Sequence, residues 1–233
     1  MLINERKERL LSLLVENGTM TTSALASELY VSEATIRRDL KELERLGQVN
    51  RVHGGAEPLQ LSERQIPLTK RENQNELAKQ NIAAKAVKLI HDGNTIFLDA
   101  SSTVRRIVPL LGAFSGLTVV TNSPKTVLEL ADMGIRTIST GGILLNQSIA
   151  FVGRNAEQVI RSINADIMFF SCRGVSDDGD LCDSSLDETS IRREMLLRAK
   201  VKCLCCDSRK FGNKYPFNIC RMEDIDHIIT ERS

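Results

Sequence analysis

The sequence predicts a two-domain protein of the α/β class, with a small helical N-terminal domain and a larger domain built on a mostly parallel sheet. Two observations predict this division. Residues 1–54 carry helical periodicity and almost no strand signal. From Glu76 onward, helical segments alternate with short β-branched runs that end at Gly or Pro. That alternation is typical of parallel strands joined by crossover helices.

The composition is that of a folded globular protein. Of the 233 residues, 42% are hydrophobic and 26% are charged, which excludes a wholly disordered chain. No run approaches the roughly 18 apolar residues that a membrane helix needs. The sequence is charged from Glu5 onward, where a signal peptide would become apolar, so we expect a cytoplasmic protein. The net charge of +1 points to no partner, so any nucleic-acid partner must be inferred from a local patch.

All the cysteines lie in the last third of the chain: Cys172, Cys182, Cys203, Cys205, Cys206 and Cys220. Their spacing lacks the paired C-x2-C ligands of a zinc site. A free cysteine behaves as a small hydrophobic residue, so we expect reduced and mainly buried thiols. We expect no disulfide, no metal and no cofactor.

The N-terminal domain is predicted to contain three helices, at residues 4–16, 22–29 and 33–46. Thr21 or Thr22 caps the second helix, Ser32 caps the third, and Gly47 ends it. Two helices separated by a turn of three or four residues form a helix-turn-helix. The alternating segment 48–55 ends in a glycine pair and predicts a β-hairpin, or wing.

The third helix has two different faces. Ile36, Leu40 and Leu43 recur with helical spacing and predict a buried face. The opposite face and its flanks carry Ala34, Thr35, Arg37, Arg38, Lys41 and Arg45. Arginine can read a guanine edge, and both basic residues neutralise phosphates. A solvated surface helix of any small helical domain shows the same pattern, and eight basic against eight acidic residues in 1–54 leave the charge balanced.

The domain boundaries follow from a polar stretch broken by prolines. Pro58 and Pro67 interrupt a segment with no sustained apolar period. We therefore predict a helical domain at 1–56, a linker at 57–75 and an α/β domain at 76–233, which the family resemblance given below identifies as the DNA-binding and effector-binding domains.

The second domain is predicted to have six strands and five intervening helices. The strands are Thr95–Asp99, Leu117–Thr121, Ile135–Ser139, Ala165–Cys172, Val201–Asp207 and Asp226–Thr230. The helices fall near 76–91, 103–111, 124–133, 155–163 and 186–199. Ser123 followed by Pro124 is a sound helix start. Pro109 should end or kink its helix.

Polar residues follow the predicted strands, at the sheet edge where open α/β sheets bind ligands. Hydroxyls and backbone N–H groups at a helix N-terminus suit an anion, a glycine pair allows close backbone approach, a lysine suits a phosphate, and carboxylates suit sugar hydroxyls. The candidates are Asp99, Ser101, Ser102, Thr103, Thr121, Asn122, Gly141, Gly142, Arg173, Glu188 and Lys210. In isolation, Ser102 can equally be a helix cap and Lys210 a solvated charge, while Asp178-Gly179 fits a plain turn.

The run VSEATIRRDL at Val31–Leu40, followed by Leu43-Glu44 and by RVHGGA at Arg51–Ala56, resembles the winged helix-turn-helix of the DeoR family of bacterial transcription regulators. Every position of that family's VS-x-x-TIRRDL-x-x-LE and R-x-HGGA pattern is matched. The resemblance implies that the third helix enters the major groove of double-stranded DNA. The implied DNA-binding residues are Ser32, Ala34, Thr35, Arg37, Arg38, Lys41, Arg45, Arg51 and His53.

The polar clusters of the second domain resemble the sugar-phosphate sensing domain of the same family, whose fold is akin to ribose-5-phosphate isomerase. Ser101 stands where the family's D-x-G-[ST]-T motif has Gly. The resemblance implies a repressor of a sugar-catabolism operon that a phosphorylated sugar releases from DNA. Because a helix-turn-helix usually reads two half-sites about one helical turn apart, we also expect a homodimer or a higher homo-oligomer.

A sugar-phosphate isomerase-like enzyme with an accessory helical domain is the alternative. Its reaction needs a carboxylate base over the substrate carbon, and Asp99 or Glu188 can be imagined in that role. An isomerase has no use for a helix that reads the major groove. The sequence also lacks the phosphate-loop, metal-pair and nucleophile-elbow motifs, so we expect a protein that is not an enzyme.

Overall fold

The computed structural model describes residues 3–45, 49–58 and 68–232. The chain divides into two compact units, Met1–Pro67 and Leu68–Ser233. Among the described residues, no helix is both long enough and apolar enough to cross a membrane.

The described residues of the first unit form three helices and a small antiparallel sheet. The helices are α1 (Ile3–Asn17), α2 (Thr22–Leu29) and α3 (Glu33–Arg45). The strands are β1 (Met20–Thr21), β2 (Val49–Val52) and β3 (Gly55–Pro58), in the order β1-β3-β2. The predicted helix-turn-helix and hairpin are confirmed, and the short strand β1 was missed. The predicted end of α3 at residue 46 lies outside the described residues.

The caps and the buried face of this unit follow the sequence. The Thr21 side chain accepts a hydrogen bond from the Ala24 N–H and caps α2. Ile36, Leu40 and Leu43 are almost fully buried, as their spacing predicts. Asp39 of α3 is also buried, and it forms an ion pair with Arg6 of α1 at 2.6 Å. This ion pair holds α1 against α3. The apolar periodicity of α3 does not predict that Asp39 is buried.

The second unit is built on a six-stranded parallel sheet, in which all six predicted strands are confirmed. Their observed bounds are β4 (Thr95–Leu98), β5 (Thr118–Thr121), β6 (Arg136–Ser139), β9 (Ala165–Phe170), β12 (Ala199–Cys205) and β14 (His227–Ile229). The sheet order is β14-β12-β9-β4-β5-β6, and the pairs are parallel. All the carboxyl ends therefore meet at one edge.

Five α-helices belong to this unit: α4 (Leu68–Asn73), α5 (Glu76–Ala86), α6 (Pro124–Asp132), α7 (Arg154–Arg161) and α8 (Leu186–Arg198). The helix α4 occupies part of the segment predicted as linker. The polar sequence of α4 does not reveal the contacts that stabilise this helix. Leu68 is buried, and the Leu68 N–H donates to the Gln147 carbonyl at 2.8 Å. The prediction that Pro109 can end its helix was wrong: Val104–Ala113 continues past Pro109, as a 3-10 helix.

Five short antiparallel strands were missed because each is brief and irregular in pattern. They are β7 (Ile143–Leu145), β8 (Ala150–Val152), β10 (Gly174–Val175), β11 (Asp180–Asp183) and β13 (Phe217–Arg221). The first two form a hairpin, and the last three form a separate sheet. Gly179, with φ of 82°, lies in the turn between β10 and β11. This agrees with the interpretation of Asp178-Gly179 as a plain turn.

Apolar side chains pack on both faces of the parallel sheet. On one face, Ile96 and Phe169 pack with the helix α5 and the Val104–Ala113 segment. On the other face, Phe97 and Phe170 pack with α7 and α8. All six cysteines are free thiols, five of them buried and Cys220 half-buried. The strands' continuous apolar runs reflect this two-sided burial.

A buried charge network joins the ends of two strands to α8. The Arg192 guanidinium donates to Asp99 at 2.8 Å, to Asp183 at 2.9 Å and to Glu188 at 3.5 Å. Burial acts to lower the pKa of Arg192, but the three carboxylates outweigh it and raise that pKa above its ordinary value. Asp99 follows β4 and Asp183 ends β11, so one side chain ties both to the helix.

Replacing Arg192 with Met should lower the free energy of unfolding by about 3–5 kcal/mol, because it leaves buried carboxylates without their cation. Urea denaturation followed by circular dichroism measures the change. Arg198→Met, at the exposed end of the same helix, is the matched control and should stay within about 0.5 kcal/mol. Equal midpoints for the two variants would show that the network does not stabilise the fold.

Candidate functional site

The exposed face of α3 carries most of the predicted DNA-binding residues. Ala34, Arg37, Arg38 and Lys41 are exposed, and Thr35 is half-buried. Ser32 is exposed just before the helix, where its hydroxyl accepts from the Thr35 N–H at 3.3 Å. Arg45 is the last residue of α3, and its side chain lies outside the described part. The face presents cations at a spacing suited to a major groove.

The two adjacent arginines of this face differ in their neighbours. Arg37 forms an ion pair with Glu33, one helical turn earlier, at 2.9 Å. Within the described part of the chain, Arg38 pairs with no carboxylate. Arg38 is therefore the better placed of the two to meet a negatively charged partner without first breaking a contact.

The hairpin β2–β3 carries the two remaining residues predicted to bind DNA. Arg51 is exposed and lies 3.5 Å from Glu44 of α3. His53 is exposed in the turn, next to Gly54 with φ of 78°. The hairpin therefore places one cation and one imidazole on its solvent side.

At the carboxyl edge of the parallel sheet, the segment after β4 is a buried polar turn. Ser101, Ser102 and Thr103 are all buried. The Ser101 hydroxyl accepts from the Val104 N–H at 3.2 Å, so Ser101, rather than Ser102, satisfies the first N–H of the following 3-10 helix. Among the described residues, the Ser102 and Thr103 hydroxyls make no hydrogen bond, which leaves both able to bind a ligand.

The Asp99 carboxylate, just before this turn, is hydrogen-bonded to other groups of the protein. Its carboxylate accepts the Ser101 N–H at 3.1 Å, the Ser171 N–H at 3.2 Å and the Arg192 guanidinium at 2.8 Å. Glu188 is also turned toward Arg192. Both carboxylates therefore organise the edge, whereas the sequence suggests them as acceptors for sugar hydroxyls.

In the turns after β5 and β6, some polar groups bond within the protein and others have no partner among the described residues. The Thr121 hydroxyl accepts from the Ser123 N–H at 3.1 Å and serves its own turn. The Asn122 amide donates to the Phe151 carbonyl, while its Oδ1 is buried without a partner in the described chain. A Cβ on Gly142 would lie 2.5 Å from the Val152 carbonyl oxygen, and one on Gly141 would meet nothing within 4 Å. The close approach at Gly142 is thus to the β8 strand.

Cations from four elements gather around the same edge. The Lys210 ammonium, beyond β12, donates to the Ser171 hydroxyl at 2.8 Å. Lys79 of α5 is buried and donates to the Arg71 carbonyl. Burial, reinforced by the nearby Lys210, lowers the pKa of Lys79 to about 8. Burial also lowers the pKa of Arg71 to about 10, with Arg173 adding to the effect. These positive charges repel one another, so an anion bound between them is stabilised.

Fewer carboxylates than cations are available at this edge of the sheet. Burial acts to raise the pKa of Asp207, but Lys210 and Arg209 outweigh it and hold that pKa below its usual value. Asp99 and Asp183 are occupied by Arg192. Within the described ranges, no cluster of His, Cys, Asp and Glu side chains is suited to a metal ion.

Several residues of this site escaped sequence reasoning, namely Arg71, Lys79, Asp183 and Arg192. Arg71 lies in a stretch that reads as linker, and Lys79 looks like one of many solvated helix lysines. The i, i+4 spacing of Glu188 and Arg192 was a usable signal, but it does not reveal that the pair is buried.

Buried hydroxyls without partners border the same edge. Ser148 lies in the β7–β8 hairpin, Ser184 follows β11, and Thr189 belongs to α8. Their hydroxyl oxygens are buried and have no hydrogen-bond partner among the described residues. Buried polar groups in native proteins are normally satisfied by protein, water or ligand, so these positions fit a polyhydroxylated ligand or ordered water.

Family models match both units. Residues 6–60 match the DeoR-like helix-turn-helix domain, and residues 74–232 match the DeoR C-terminal sensor domain. The chain is 35% identical to YulB, an uncharacterized HTH-type transcriptional regulator of Bacillus subtilis, over 99% of this chain and 90% of that protein. It is 32% identical to the L-fucose operon activator of Escherichia coli, over 97% and 94%. It is 29% identical to the lactose phosphotransferase system repressor of Staphylococcus epidermidis, over 98% and 92%.

Solved structures resemble the fold at low identity. The eIF2B delta protein of Chaetomium thermophilum matches with a TM-score of 0.52 at 16% identity, over 98% of this chain and 71% of that chain. A D-ribose-5-phosphate isomerase in complex with phospho-erythronic acid matches with a TM-score of 0.45 at 21% identity, over 58% and 54%. That second likeness is too distant to bear on function. The matched family models and the relatives aligned over nearly the whole sequence place the chain in the DeoR family of helix-turn-helix transcription regulators.

Proposed function

We propose that this regulator represses a sugar-catabolism operon and that a phosphorylated sugar releases it from its operator. The observation that carries the proposal is the gathering of cations and unpaired hydroxyls at one sheet edge, in a chain that also presents a cationic helix face. Relatives named for an L-fucose operon and for a lactose phosphotransferase system support the link to sugars.

A phosphate ester matches the chemistry of this edge. Its dianion meets the Lys210 ammonium, the Ser102 and Thr103 hydroxyls and the N–H groups that open the 3-10 helix. The sugar hydroxyls meet the buried oxygens of Asn122, Ser148 and Ser184. Phosphate dominates recognition, so the free sugar binds far more weakly than its ester.

On the DNA side, α3 enters the major groove and the hairpin β2–β3 contacts the backbone. A helix-turn-helix protein usually reads two half-sites one helical turn apart, so the regulator acts as a homodimer or a larger homo-oligomer, in the cytoplasm. The sugar phosphate releases DNA because it binds the DNA-free arrangement more tightly. By reciprocity, DNA weakens effector binding by the same factor.

The two carboxylates suggested as the base of an isomerase are both engaged within the protein. Asp99 accepts three hydrogen bonds within the protein, and Glu188 faces Arg192. A general base needs a carboxylate that can reach a substrate proton. The commitment of both carboxylates to Arg192 therefore supports a sensor that binds a sugar phosphate without turnover.

Arg38→Ala should weaken DNA binding by about 1–3 kcal/mol, with relaxed base preference if the side chain contacts a base. A phosphate contact instead weakens all sequences alike and lowers the salt slope by about one. Fluorescence anisotropy with duplexes selected from a random library by the wild-type protein measures both. Arg37→Ala should cost less because Arg37 is partly satisfied by Glu33. Lys200→Ala, exposed in the second unit, is the control. Wild-type affinity in both arginine variants would refute the α3 interface.

Lys210→Ala should weaken binding of the best phosphate ester about ten- to a hundredfold, because a charge-assisted hydrogen bond is lost. Calorimetry with a panel of sugar phosphates identifies the ligand and then compares the variants. Operator binding should be unchanged. Lys214→Ala removes an exposed lysine from the following loop and should behave as wild type. The proposed site is wrong if Lys210→Ala binds the ester as tightly as wild type, or if the free sugar binds as well as the ester.

Ester affinity should fall as the pH rises from about 7 to about 9. The pKa of Lys79 in the free protein is about 8, and a bound dianion favours the charged lysine and raises that pKa. Binding near pH 8 therefore takes up a proton, which calorimetry in buffers of different ionisation enthalpy detects. Lys79→Met should remove the proton uptake. A pH-independent affinity with no proton uptake in wild type would contradict this role for Lys79.

A further inference from the structure

The turn between α2 and α3 holds an aromatic side chain in an unfavourable backbone conformation. Tyr30 directly follows α2 and lies in the left-handed region, with φ of 52° and ψ of 45°. The Tyr30 N–H donates to the Ala26 and Ser27 carbonyls, so the backbone of the turn ends the helix. Glycine is the usual residue at such a helix end, because any side chain crowds the backbone in this conformation. The tyrosine side chain therefore makes this turn less stable than glycine would.

The Tyr30 ring is not used to pack the fold. Its side chain is 95% exposed, the highest value among the exposed large hydrophobic side chains of the described residues. Within the same part of the chain, the Tyr30 hydroxyl makes no hydrogen bond. An exposed ring contributes little free energy of burial. A bulky residue that strains its own turn and buries almost none of its surface points to a role outside the folded unit.

An open groove beside this turn carries hydroxyl groups. We call it the turn groove; it has a volume of about 410 Å³, and Ser23, Ser27, Tyr30, Ser32 and Glu33 line it. The three serines are exposed. Glu33 pairs with Arg37 at 2.9 Å, so its negative charge is partly compensated. The turn groove thus offers neutral hydrogen-bond donors next to the cationic face of α3.

The turn groove is continuous with the face of α3 that presents Arg37 and Arg38. In a helix-turn-helix, the helix before the recognition helix crosses the DNA backbone. When α3 lies in the major groove, the turn and the exposed side of α2 therefore lie at the phosphates that flank it. Tyrosine and serine hydroxyls commonly donate to phosphate oxygens, so the chemistry of the turn groove suits the backbone of a DNA duplex.

We propose that the Tyr30 hydroxyl donates a hydrogen bond to a DNA phosphate beside the major groove, and that the left-handed turn holds the ring clear of the protein for this contact. The inference rests on the proposed function and adds an uncharged contact to the cationic ones. A cation that neutralises a phosphate releases a counterion and steepens the salt dependence of binding. A neutral hydroxyl adds affinity without steepening it. A phosphate contact also reads no base, so it strengthens binding to all sequences alike.

The test compares full-length wild type with Tyr30→Phe and Tyr30→Gly. Arg38→Ala provides the comparison with a charged contact, and Lys200→Ala provides the control outside the first unit. Fluorescence anisotropy at several salt concentrations gives the affinity and the salt slope, for the selected duplex and for one of unrelated sequence. Hydrogen exchange of α2 and α3 reports their stability, and sedimentation velocity reports the oligomeric state.

We expect Tyr30→Phe to weaken binding to both duplexes alike, by about two- to tenfold, because one neutral hydrogen bond is lost. Its salt slope and its hydrogen exchange should match wild type, since the ring and the backbone conformation are kept.

Tyr30→Gly should weaken DNA binding at least as much as Tyr30→Phe. It should nevertheless slow hydrogen exchange in α2 and α3, because glycine adopts the left-handed region without strain. Tyr30 would then strengthen DNA binding while destabilising the free protein. A side chain with a merely structural role shows the opposite pattern, in which its removal speeds exchange.

The outcomes distinguish this contact from the proposed function. If Tyr30→Phe binds both duplexes as tightly as wild type while Arg38→Ala binds weakly, the hydroxyl contact is overturned and the proposed function stands. A loss confined to the selected duplex places Tyr30 against a base and overturns the phosphate contact. Faster exchange in Tyr30→Gly, or a changed oligomeric state in either variant, assigns Tyr30 to the fold or to an interface between copies and also overturns it. If wild type binds no duplex, the proposed function fails and the contact fails with it.

Discussion

The burial of Arg192 among three carboxylates is the constraint on which the carboxyl edge of the sheet depends. A guanidinium this deep persists only if its hydrogen bonds are satisfied by opposite charge, and Asp99, Asp183 and Glu188 provide that. Each carboxylate belongs to a different element, so satisfying one cation fixes the end of β4, the end of β11 and the first turn of α8. The turn at Ser101 and the residue Ser171 then follow, because Asp99 also accepts their N–H groups.

Further charged side chains, most of them cationic, surround this network. Lys79, Lys210, Arg71 and Arg173 lie near one another with Asp207 as a close counter-charge. Burial, and then the nearby Lys210, lower the pKa of Lys79. Sites that bind anions store such unfavourable charge when they are empty and release it on binding.

Local sequence patterns predicted the regular elements because the free energy that forms them is local or periodic. The β-branched runs of the six parallel strands are buried on both faces, so their composition marks them. The caps at Thr21, Ser32 and Ser123 are set by neighbours within three residues. The pairs β7–β8 and β10–β11 are local hairpins whose strands are too short to show a period-2 pattern, whereas the strand β13 pairs with β11 from far along the chain. The helix α4 likewise forms through contacts with residues far along the chain, and its polar sequence predicts a linker instead.

The sequence by itself determined the two-domain organisation of an HTH segment and a parallel sheet, the exposed face of α3 and the edge at which polar residues gather. These features depend on residue periodicity and on the order of elements, both of which are written along the chain. Only the tertiary structure decided which polar groups at the edge are available. Asp99 and Glu188 are bound to Arg192, Gly142 approaches Val152, and Arg71 and Lys79 join Lys210 across more than a hundred residues. Charge–charge interactions depend on distance in space rather than on separation along the chain, so sequence position does not reveal them.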